Sequence, residues 1–287
     1  MIQSMTGYGK SVVQLAQKKI TIEIKSLNSK NLDLNVRIPQ AFREKELSIR
    51  QELASHLIRG KVEFSIYSES TGESTTTSLN IEAIENYINQ LKEVNVEYQD
   101  EIEYLKMAMR LPDAIKTERE DIDPSEWNAI YEGMQEAIRE IKKYRLDEGE
   151  VLAQDFRERI MQIQALSSQI VDVDQERLVA VRARLHKAIA DLEANVDENR
   201  FEQELIYYLE KLDITEEKVR LNNHLDYFLT TLASDDSNGK KLGFIGQEIG
   251  REINTTGSKS NFAPMQKIVV QMKDELEKIK EQLLNVL

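Results

Sequence analysis

Several runs near the start of the chain alternate apolar and polar side chains, which is the period of a half-buried β-strand. Residues 20–24 (ITIEI) and 32–38 (LDLNVRI) show this alternation, and Pro39 ends the second run. Residues 62–67 (VEFSIY) form a third run after a turn at Gly60. We therefore predict three strands within this part of the chain.

The segment that ends at Val13 predicts a fourth strand, in which Gly7 and Gly9 mark a bulge or bend. Residues 41–58, which lie between the strands, have the composition of a helix. These elements together predict a small α+β domain, and we place it at residues 1–75.

The rest of the chain has mostly helical periodicity. Residues 71–80 are rich in Ser, Thr and Gly and predict a linker, and apolar stripes at helical spacing follow over residues 127–192. We predict a helical arm or oligomerisation region over residues 76–200 and a C-terminal helical domain over residues 201–287. The predicted fold class is α+β, a small β-rich N-terminal domain followed by a long, mostly α-helical region with coiled-coil-like helices.

The last predicted helix contains a heptad repeat, and Pro264 suits its first turn. Its apolar positions, separated alternately by four and three residues, are Met265, Val269, Met272, Leu276, Ile279, Leu283 and Val286. Such a seam requires a partner helix, either from the same chain or from another subunit. Because extended helical arms often build oligomers, we expect a homo-oligomer.

Composition restricts the chemistry that this chain can perform. None of its 287 residues is cysteine, which excludes disulfides and thiolate metal sites and favours a reducing cytoplasm. A metal site would use His, Asp, Glu or carbonyl oxygen, ligands that suit Mg2+ and Mn2+. No apolar run approaches the length of a membrane span, so we expect a soluble cytoplasmic protein that makes no membrane contact.

The net charge of −13 counts against a nucleic-acid partner, because such binders are usually basic. The charge is unevenly distributed, however. Residues 1–80 contain eleven Lys/Arg and eight Asp/Glu, and residues 237–267 contain five and two. These mildly basic regions are either ordinary surface variation or a phosphate-facing surface, and both interpretations stay open.

Three glycines fall inside one predicted helix, residues 240–254. Gly243, Gly246 and Gly250 project within about 60° of one another. Each costs roughly 1 kcal/mol relative to alanine in a helix interior. A helix face without side chains indicates close approach by another helix or by a ligand, and helix packing is the more common cause.

The same helix carries two carboxylates one turn apart, Glu248 and Glu252. Like charges at this spacing repel, and a divalent cation would turn that repulsion into a binding site. Arg251 and Asn254 lie on the polar side beyond them, and a guanidinium can hold two phosphate oxygens. The alternative is that both glutamates are solvated or ion-paired, since such pairs are common in helices.

The preceding predicted helix contributes His224, which lies at the edge of an apolar stripe and shares a face with Glu217 and Arg220. A histidine in this position is often a structural residue. It could also complete a set of two carboxylates and one histidine around a divalent metal ion. From the residues alone both interpretations stay open.

Short motifs along the whole chain resemble the YicC/YloC family. In the N-terminal half they are residues 4–9 (SMTGYG), 23–28 (EIKSLN), 32–33 (LD) and 59–62 (RGKV). In the C-terminal half they are residues 146–149 (LDEG), 220–221 and 224–225 (RL, HL), 247–248 (QE), 251–255 (REINT) and 258–259 (SK). The family typically has a bulkier polar residue in place of Gly243 and asparagine in place of Gly250.

The resemblance implies a bacterial cytosolic endoribonuclease that needs a divalent metal, Mn2+ or Mg2+ with manganese favoured, and that works as an oligomer, specifically a hexamer. The predicted catalytic residues are His224, Glu248, Arg251 and Glu252. The predicted RNA contacts are Lys30, Asn28, Arg59, Arg220, Arg251, Asn254 and Lys259.

The hypothesis assigns a role to each of these groups. Glu248 and Glu252, together with His224, are the predicted metal ligands and would hold one or two Mn2+ or Mg2+ ions. The metal would polarise the scissile phosphate and lower the pKa of a bound water, while Arg251 and Lys259 neutralise developing charge. Arg220 and Glu217 would orient His224. An alternative chemistry uses the ribose 2′-OH as nucleophile with His224 as base, and leaves a 2′,3′-cyclic phosphate.

Two other functions stay open. The chain could be a non-catalytic oligomeric RNA-binding adaptor that works with RNA-decay partners, or a coiled-coil scaffold, which its acidic charge and heptad seam favour. It contains no P-loop, dinucleotide fingerprint, nucleophile elbow or kinase motif, so ATPase, dehydrogenase and α/β-hydrolase activities have no local support.

Overall fold

A computed structural model describes residues 2–70, 77–94, 100–117, 123–191 and 198–287, and it has a sheet domain followed by long helices. The strands are β1 (Gly7–Gln14), β2 (Lys18–Leu27), β3 (Leu32–Arg37), β4 (Gly60–Ser70), β5 (Thr77–Leu79) and β6 (Ile115–Thr117). The helices are α1 (Glu46–His56), α2 (Ile81–Val94), α3 (Glu101–Ala108), α4 (Pro124–Ala190), α5 (Glu198–Lys211), α6 (Thr215–Leu232), α7 (Gly239–Lys259) and α8 (Ala263–Leu283). The predicted α+β class is confirmed.

The N-terminal sheet has the strand order β1-β2-β4-β3. β1 and β4 pair antiparallel with β2, whereas β3 runs parallel to β4, because a 3₁₀ helix (Gln40–Lys45) and α1 carry the chain across between them. All four predicted strands are present. The predicted helix over residues 41–58 corresponds to this 3₁₀ helix together with α1.

The glycines of β1 serve a different purpose from the one predicted. The pairing of β1 with β2 is continuous from Gly7 to Gln14, so the bulge, one of the two features predicted there, is absent from this strand pair, whereas the bend stays a prediction. Instead, α4 passes directly over the strand. A Cβ atom on Gly9 would lie 2.1 Å from the carbonyl oxygen of Ala137, which only glycine avoids.

One face of the sheet forms the N-terminal core with α1 and the first third of α4. The inward residues of β2 and β4 pack there against Leu53, Met134 and Ile138. This core therefore draws on residues well beyond the predicted domain boundary at residue 75. The opposite face of the sheet is open to solvent, with Tyr8 and Tyr67 about half exposed.

A single 67-residue helix, α4, contains the apolar stripes predicted over residues 127–192, except that Leu192 lies outside the described residues. Its later half packs against α6 and α8 in a second core. All seven heptad positions from Met265 to Val286 are buried in this second core. The seam therefore finds its partner helices within the chain, and it does not by itself require another subunit.

The predicted linker over residues 71–80 is only partly a linker. Residues 71–76 lie outside the described part of the chain, but β5 follows directly and pairs with β6. This short ribbon accompanies α2 and α3, which share a small core around Ile84 and Ala108. No described helix is both long and apolar enough to cross a membrane.

Candidate active site

Helices α6 and α7 form an antiparallel hairpin around the predicted catalytic residues. The register is visible at one contact, where Lys259 Nζ at the end of α7 lies 2.7 Å from Glu217 Oε1 at the start of α6. Apolar residues on facing stripes of the two helices, including Leu225 and Ile249, hold the pair together in the second core. The polar residues of this site are therefore carried by well-packed helices.

The antiparallel register places His224 opposite Glu252. His224 lies seven residues after Glu217 on α6, and Glu252 lies seven residues before Lys259 on α7. Seven residues are nearly two turns, so each step advances about 10 Å along the axis and rotates the side chain by only about 20°. The two steps run in the same spatial direction because the helices are antiparallel. The sequence-predicted histidine and one carboxylate thus reach the same level on facing sides of the hairpin.

Glu252 is a buried acid without a compensating group. Its residue is 5% exposed, and its carboxylate has no hydrogen bond or ion pair to the described residues. His224 is half-buried and is likewise without a hydrogen bond within this part of the chain. A buried ionised carboxylate is costly unless a cation or donor compensates it. The pair therefore has the character of a ligand set.

The two glutamates predicted as equivalent neighbours differ in environment. The side chain of Glu248 is 47% exposed, and its Oε2 atom lies 3.6 Å from Nη1 of Arg251. Arg251 itself is 74% exposed, and Asn254 also faces solvent. The exposed guanidinium is free to meet a phosphate, because its present ion pair is long and solvated.

Lys259 is more constrained than predicted. Its ammonium donates to Glu217 and to the carbonyl oxygen of Asp213, at 2.7 and 2.9 Å. Glu217 is 5% exposed, and its second carboxylate oxygen is buried without a partner among the described residues. Hydrogen bonds from Thr215 hold the pKa of the Asp213 carboxyl below its usual value. Lys259 therefore compensates a buried acid, and its predicted contact with RNA stays a prediction.

Arg220 and Glu217, which were predicted to orient His224, form ion pairs with other residues. Arg220 pairs with Glu216 at 2.5 Å on the solvent side of α6, and Glu217 turns to Lys259. Neither side chain bonds the imidazole. The described residues therefore show no contact through which Arg220 or Glu217 would orient His224.

The predicted metal set is only partly assembled within one chain. The described residues contain no group of three His, Asp or Glu side chains that is ready to hold a metal ion. By the register of the hairpin His224 and Glu252 lie at the same level, and Glu248 lies one turn before Glu252 on α7. Mg2+ and Mn2+ sites commonly use one or two carboxylates and leave other positions to water and phosphate. The residues present fit an ion of this kind.

Two predicted RNA contacts instead join the N-terminal domain to the end of the chain. Asn28 Nδ2 donates to the carbonyl oxygen of Leu284 at 2.6 Å, and Arg59 Nη2 donates to that of Val286 at 2.5 Å. The same terminal segment bonds the backbone at Gly239, the first residue of α7. Asn28 and Arg59 thus lie near the start of the helix that carries the carboxylates, while Lys30, also a predicted RNA contact, is exposed nearby in sequence.

The glycine face of α7 meets α8, as expected for helix packing. A Cβ atom on Gly250 would lie 3.2 Å from Leu276, and one on Gly246 would lie 3.8 Å from Leu283. Gly243 differs, because a Cβ there would meet nothing within 4 Å. The close approach therefore requires glycine only toward the C-terminal part of this face.

Comparison with known proteins identifies the family. The profile described as "Endoribonuclease YicC-like, N-terminal region" matches residues 2–154, and that described as "Endoribonuclease YicC-like, C-terminal" matches residues 170–287. The chain belongs to the YicC-like endoribonuclease family. The resemblance inferred from the motifs is confirmed, and so is the enzyme class that it implied.

Two full-length relatives agree with this assignment to the YicC-like family. One is the "Probable endoribonuclease YicC" of Clostridioides difficile, 32% identical over the whole of both chains. The other carries the same name in Haemophilus influenzae and is 28% identical, also over the whole of both chains. The two matched ranges include both the N-terminal sheet domain and the α6–α7 hairpin.

Proposed function

We propose that this YicC-family endoribonuclease cleaves RNA phosphodiester bonds at the α6–α7 hairpin with the help of a divalent metal ion, Mn2+ or Mg2+. The observation that carries the proposal is Glu252, a residue only 5% exposed whose carboxylate has no partner among the described residues. Its level on α7 matches that of His224 on α6 by helix register. A bound cation would compensate that carboxylate. Its proximity to a histidine and an exposed arginine suits phosphate chemistry.

Glu252 and Glu248, together with His224, would hold the ion, which when bound supplies Lewis acidity and a more acidic water. Glu252 is held rigidly by the packed helix, whereas the half-exposed Glu248 can move toward a ligand or toward Arg251. Arg251 projects into solvent beside Glu248, where its planar fork can hold two oxygens of the scissile phosphate. The chain thereby binds and orients the phosphodiester before any bond is broken.

Two routes for cleavage follow from the position of His224. As a metal ligand it would leave attack to water, and as a general base it would remove the proton of the ribose 2′-OH. The second route leaves a 2′,3′-cyclic phosphate, so analysis of the product ends distinguishes the two. Lys259 would contribute positive potential from the end of α7 while it remains bonded to Glu217.

We also propose that the protein acts as a homo-oligomer, and specifically as the hexamer that the family resemblance implies. Exposed apolar side chains on the far part of α4 and on α5 support this, since Val179 is 71% exposed and Ile206 is 55% exposed. The lack of cysteine supports a cytoplasmic location. Partners in RNA decay stay a prediction from the family.

The test is cleavage of a labelled structured RNA in Mn2+, in Mg2+ and in EDTA. Wild-type protein is compared with the Glu248→Ala/Glu252→Ala double variant, and with Glu277→Ala/Glu281→Ala, which removes an exposed carboxylate pair of the same spacing from α8. Circular dichroism verifies that each variant is folded. Metal-dependent cleavage that is lost only in the α7 variant supports the site, and equal cleavage by all three proteins would refute it.

Measuring RNA binding by the same proteins, in EDTA and at low salt, distinguishes the alternative functions. RNA binding that survives EDTA, with no cleavage in any condition, favours an adaptor that delivers RNA to another nuclease. Absence of RNA affinity at low salt favours a scaffold, since electrostatic binding is strongest there.

A further inference from the structure

The solvent-exposed face of the N-terminal sheet carries an ordered row of polar and aromatic side chains. Tyr8 on β1 pairs with Lys25 on β2, which pairs with Glu63 on β4, which pairs with Asn35 on β3. The row therefore crosses all four strands. It lies on the face that does not pack against α1 and α4, because the alternate positions of these strands form the core.

A pocket of about 390 Å³ opens over this row. All four residues of the row line it, and Lys61 and Tyr144 complete its polar and aromatic walls. Tyr8 is 39% exposed and Tyr144, which projects from α4, is 49% exposed. The volume lies in the range of small-ligand sites and is adequate for a nucleotide unit.

The charges around the pocket leave positive groups available to a ligand. Glu23 is occupied by Lys10 and Lys25, at 3.4 and 3.2 Å, and it also accepts a hydrogen bond from the Tyr8 hydroxyl. Glu63 is occupied by Arg37 at 2.9 Å. Lys61 has no ion pair to any of the residues described. Both acids near the pocket are therefore neutralised, whereas Lys61 is not.

A buried cation lies directly behind the same pocket. Arg145 is 2% exposed, and its Nη2 atom donates to Ser26 Oγ at 2.6 Å and to the carbonyl oxygen of Met5 at 3.4 Å. Ser26 lines the pocket. Arg145 has no carboxylate partner within the described ranges, and its Nε atom is buried without an acceptor. An arginine in this state keeps its charge and raises the electrostatic potential at the Ser26 wall of the pocket.

We infer that this pocket binds one nucleotide of single-stranded RNA, with the phosphate near Lys25 and Lys61 and the base against Tyr8 or Tyr144. Stacking on aromatic rings together with lysine contacts to the backbone is the usual way in which proteins hold single strands. The inference rests on the proposal that RNA is the substrate. It adds a binding site on the N-terminal domain, separate from the carboxylates of α7.

The experiment measures binding of a fluorescein-labelled oligouridylate by anisotropy in EDTA, so that no metal-dependent cleavage interferes. Tyr144→Ala is expected to raise the Kd by about fivefold or more, and Tyr144→Phe, which keeps the ring, is expected to restore it. Lys61→Gln is expected to lower the slope of log Kd against log salt concentration by about 0.7, the loss of one phosphate contact to a single strand.

Matched controls come from the far helices. Lys187→Gln removes an exposed lysine about 65 Å further along α4 than Tyr144, and Tyr207→Ala removes an equally exposed tyrosine from α5. Neither is expected to change affinity or salt slope. Photocrosslinking of an oligonucleotide that contains 4-thiouridine, followed by peptide mapping, should place the crosslink at Tyr8 or Tyr144.

The outcomes separate this inference from the proposed function. Wild-type affinity and salt slope in both Tyr144→Ala and Lys61→Gln would overturn the pocket, whether or not the protein cleaves RNA. Weakened binding in these variants, in a protein that cleaves no RNA in any metal, would support the pocket and count against the nuclease proposal.

Discussion

Lys259 Nζ lies 2.7 Å from Glu217 Oε1, and this ion pair joins the last turn of α7 to the first turn of α6. The carboxylate is buried and the ammonium is partly exposed, so the lysine covers an acid that water hardly reaches. The contact also shows the antiparallel register that places His224 opposite Glu252 two turns away. The register between His224 and Glu252 and the compensation of a buried charge are thus both linked to this pair.

Removal of the Lys259 ammonium should destabilise the fold, because the buried Glu217 carboxylate would lose its ion-pair partner. Lys259→Ala is expected to lower the free energy of unfolding by about 2 kcal/mol, less than for a fully buried pair because the ammonium is partly solvated. The Glu217→Gln/Lys259→Ala double variant should recover part of that loss, since no buried charge remains. Urea unfolding measures both values. Arg220→Ala, which breaks only the exposed pair with Glu216, serves as control and should change stability by about 0.5 kcal/mol or less.

Two glycines should respond to alanine in opposite directions. Gly9→Ala is expected to destabilise the protein by at least about 2 kcal/mol, because the new methyl would meet the carbonyl oxygen of Ala137 at 2.1 Å. Gly243→Ala is expected to stabilise it by about 0.5–1 kcal/mol, because the helix gains propensity and the methyl meets nothing within 4 Å. Thermal or urea unfolding tests both. A destabilising Gly243→Ala would indicate that this face is occupied in the assembled protein.

These glycines show what the sequence alone could and could not predict. The strands, the long helices and the heptad seam followed from periodicity, which is a local property of the chain. The need for glycine at position 9 arises because α4 crosses β1, and the Glu217–Lys259 pair forms because α7 packs against α6. Such contacts between distant elements cannot be predicted from a local sequence pattern. The carboxylate pair on α7 was predicted, but the burial of Glu252 and the exposure of Glu248 became visible only when α6 and α8 were packed around them.

Substitution of Arg59 distinguishes a structural role of this side chain from a contact with RNA. Its guanidinium donates to the carbonyl oxygen of Val286, so Arg59→Gln is expected to lower stability by about 1.5–3 kcal/mol, the range for a hydrogen bond that involves a charged group. RNA affinity in EDTA should change little if this anchor is its function. A loss of affinity with unchanged stability would instead support the predicted contact with RNA.

Glu275 links the packing of α8 on α4 to pH. A hydrogen bond from Lys278 and another from Arg159 lower the pKa of this carboxyl, although burial opposes them. Because the folded-state pKa lies below the unfolded one, the stabilisation is present above the ordinary pKa of about 4.3 and is lost as the pH falls through the lower folded value. Wild type should therefore be more stable than Glu275→Gln at neutral pH, and the difference should shrink below pH 4. A difference that is independent of pH would exclude this linkage.

Replacing Glu252 should raise the stability of the metal-free protein and abolish the stabilisation that a metal ion gives. Glu252→Gln is expected to stabilise the metal-free protein by about 1 kcal/mol, because it removes a buried charge that has no partner in the described chain. The same variant should lose the rise in melting temperature that Mn2+ gives to wild type, because an ion stabilises only a fold that binds it. Differential scanning calorimetry in EDTA and in Mn2+ measures both effects, with Glu277→Gln on α8 as the exposed control. If Glu252→Gln were destabilising in EDTA and retained the full shift in Mn2+, Glu252 would be a structural acid and the metal would bind elsewhere.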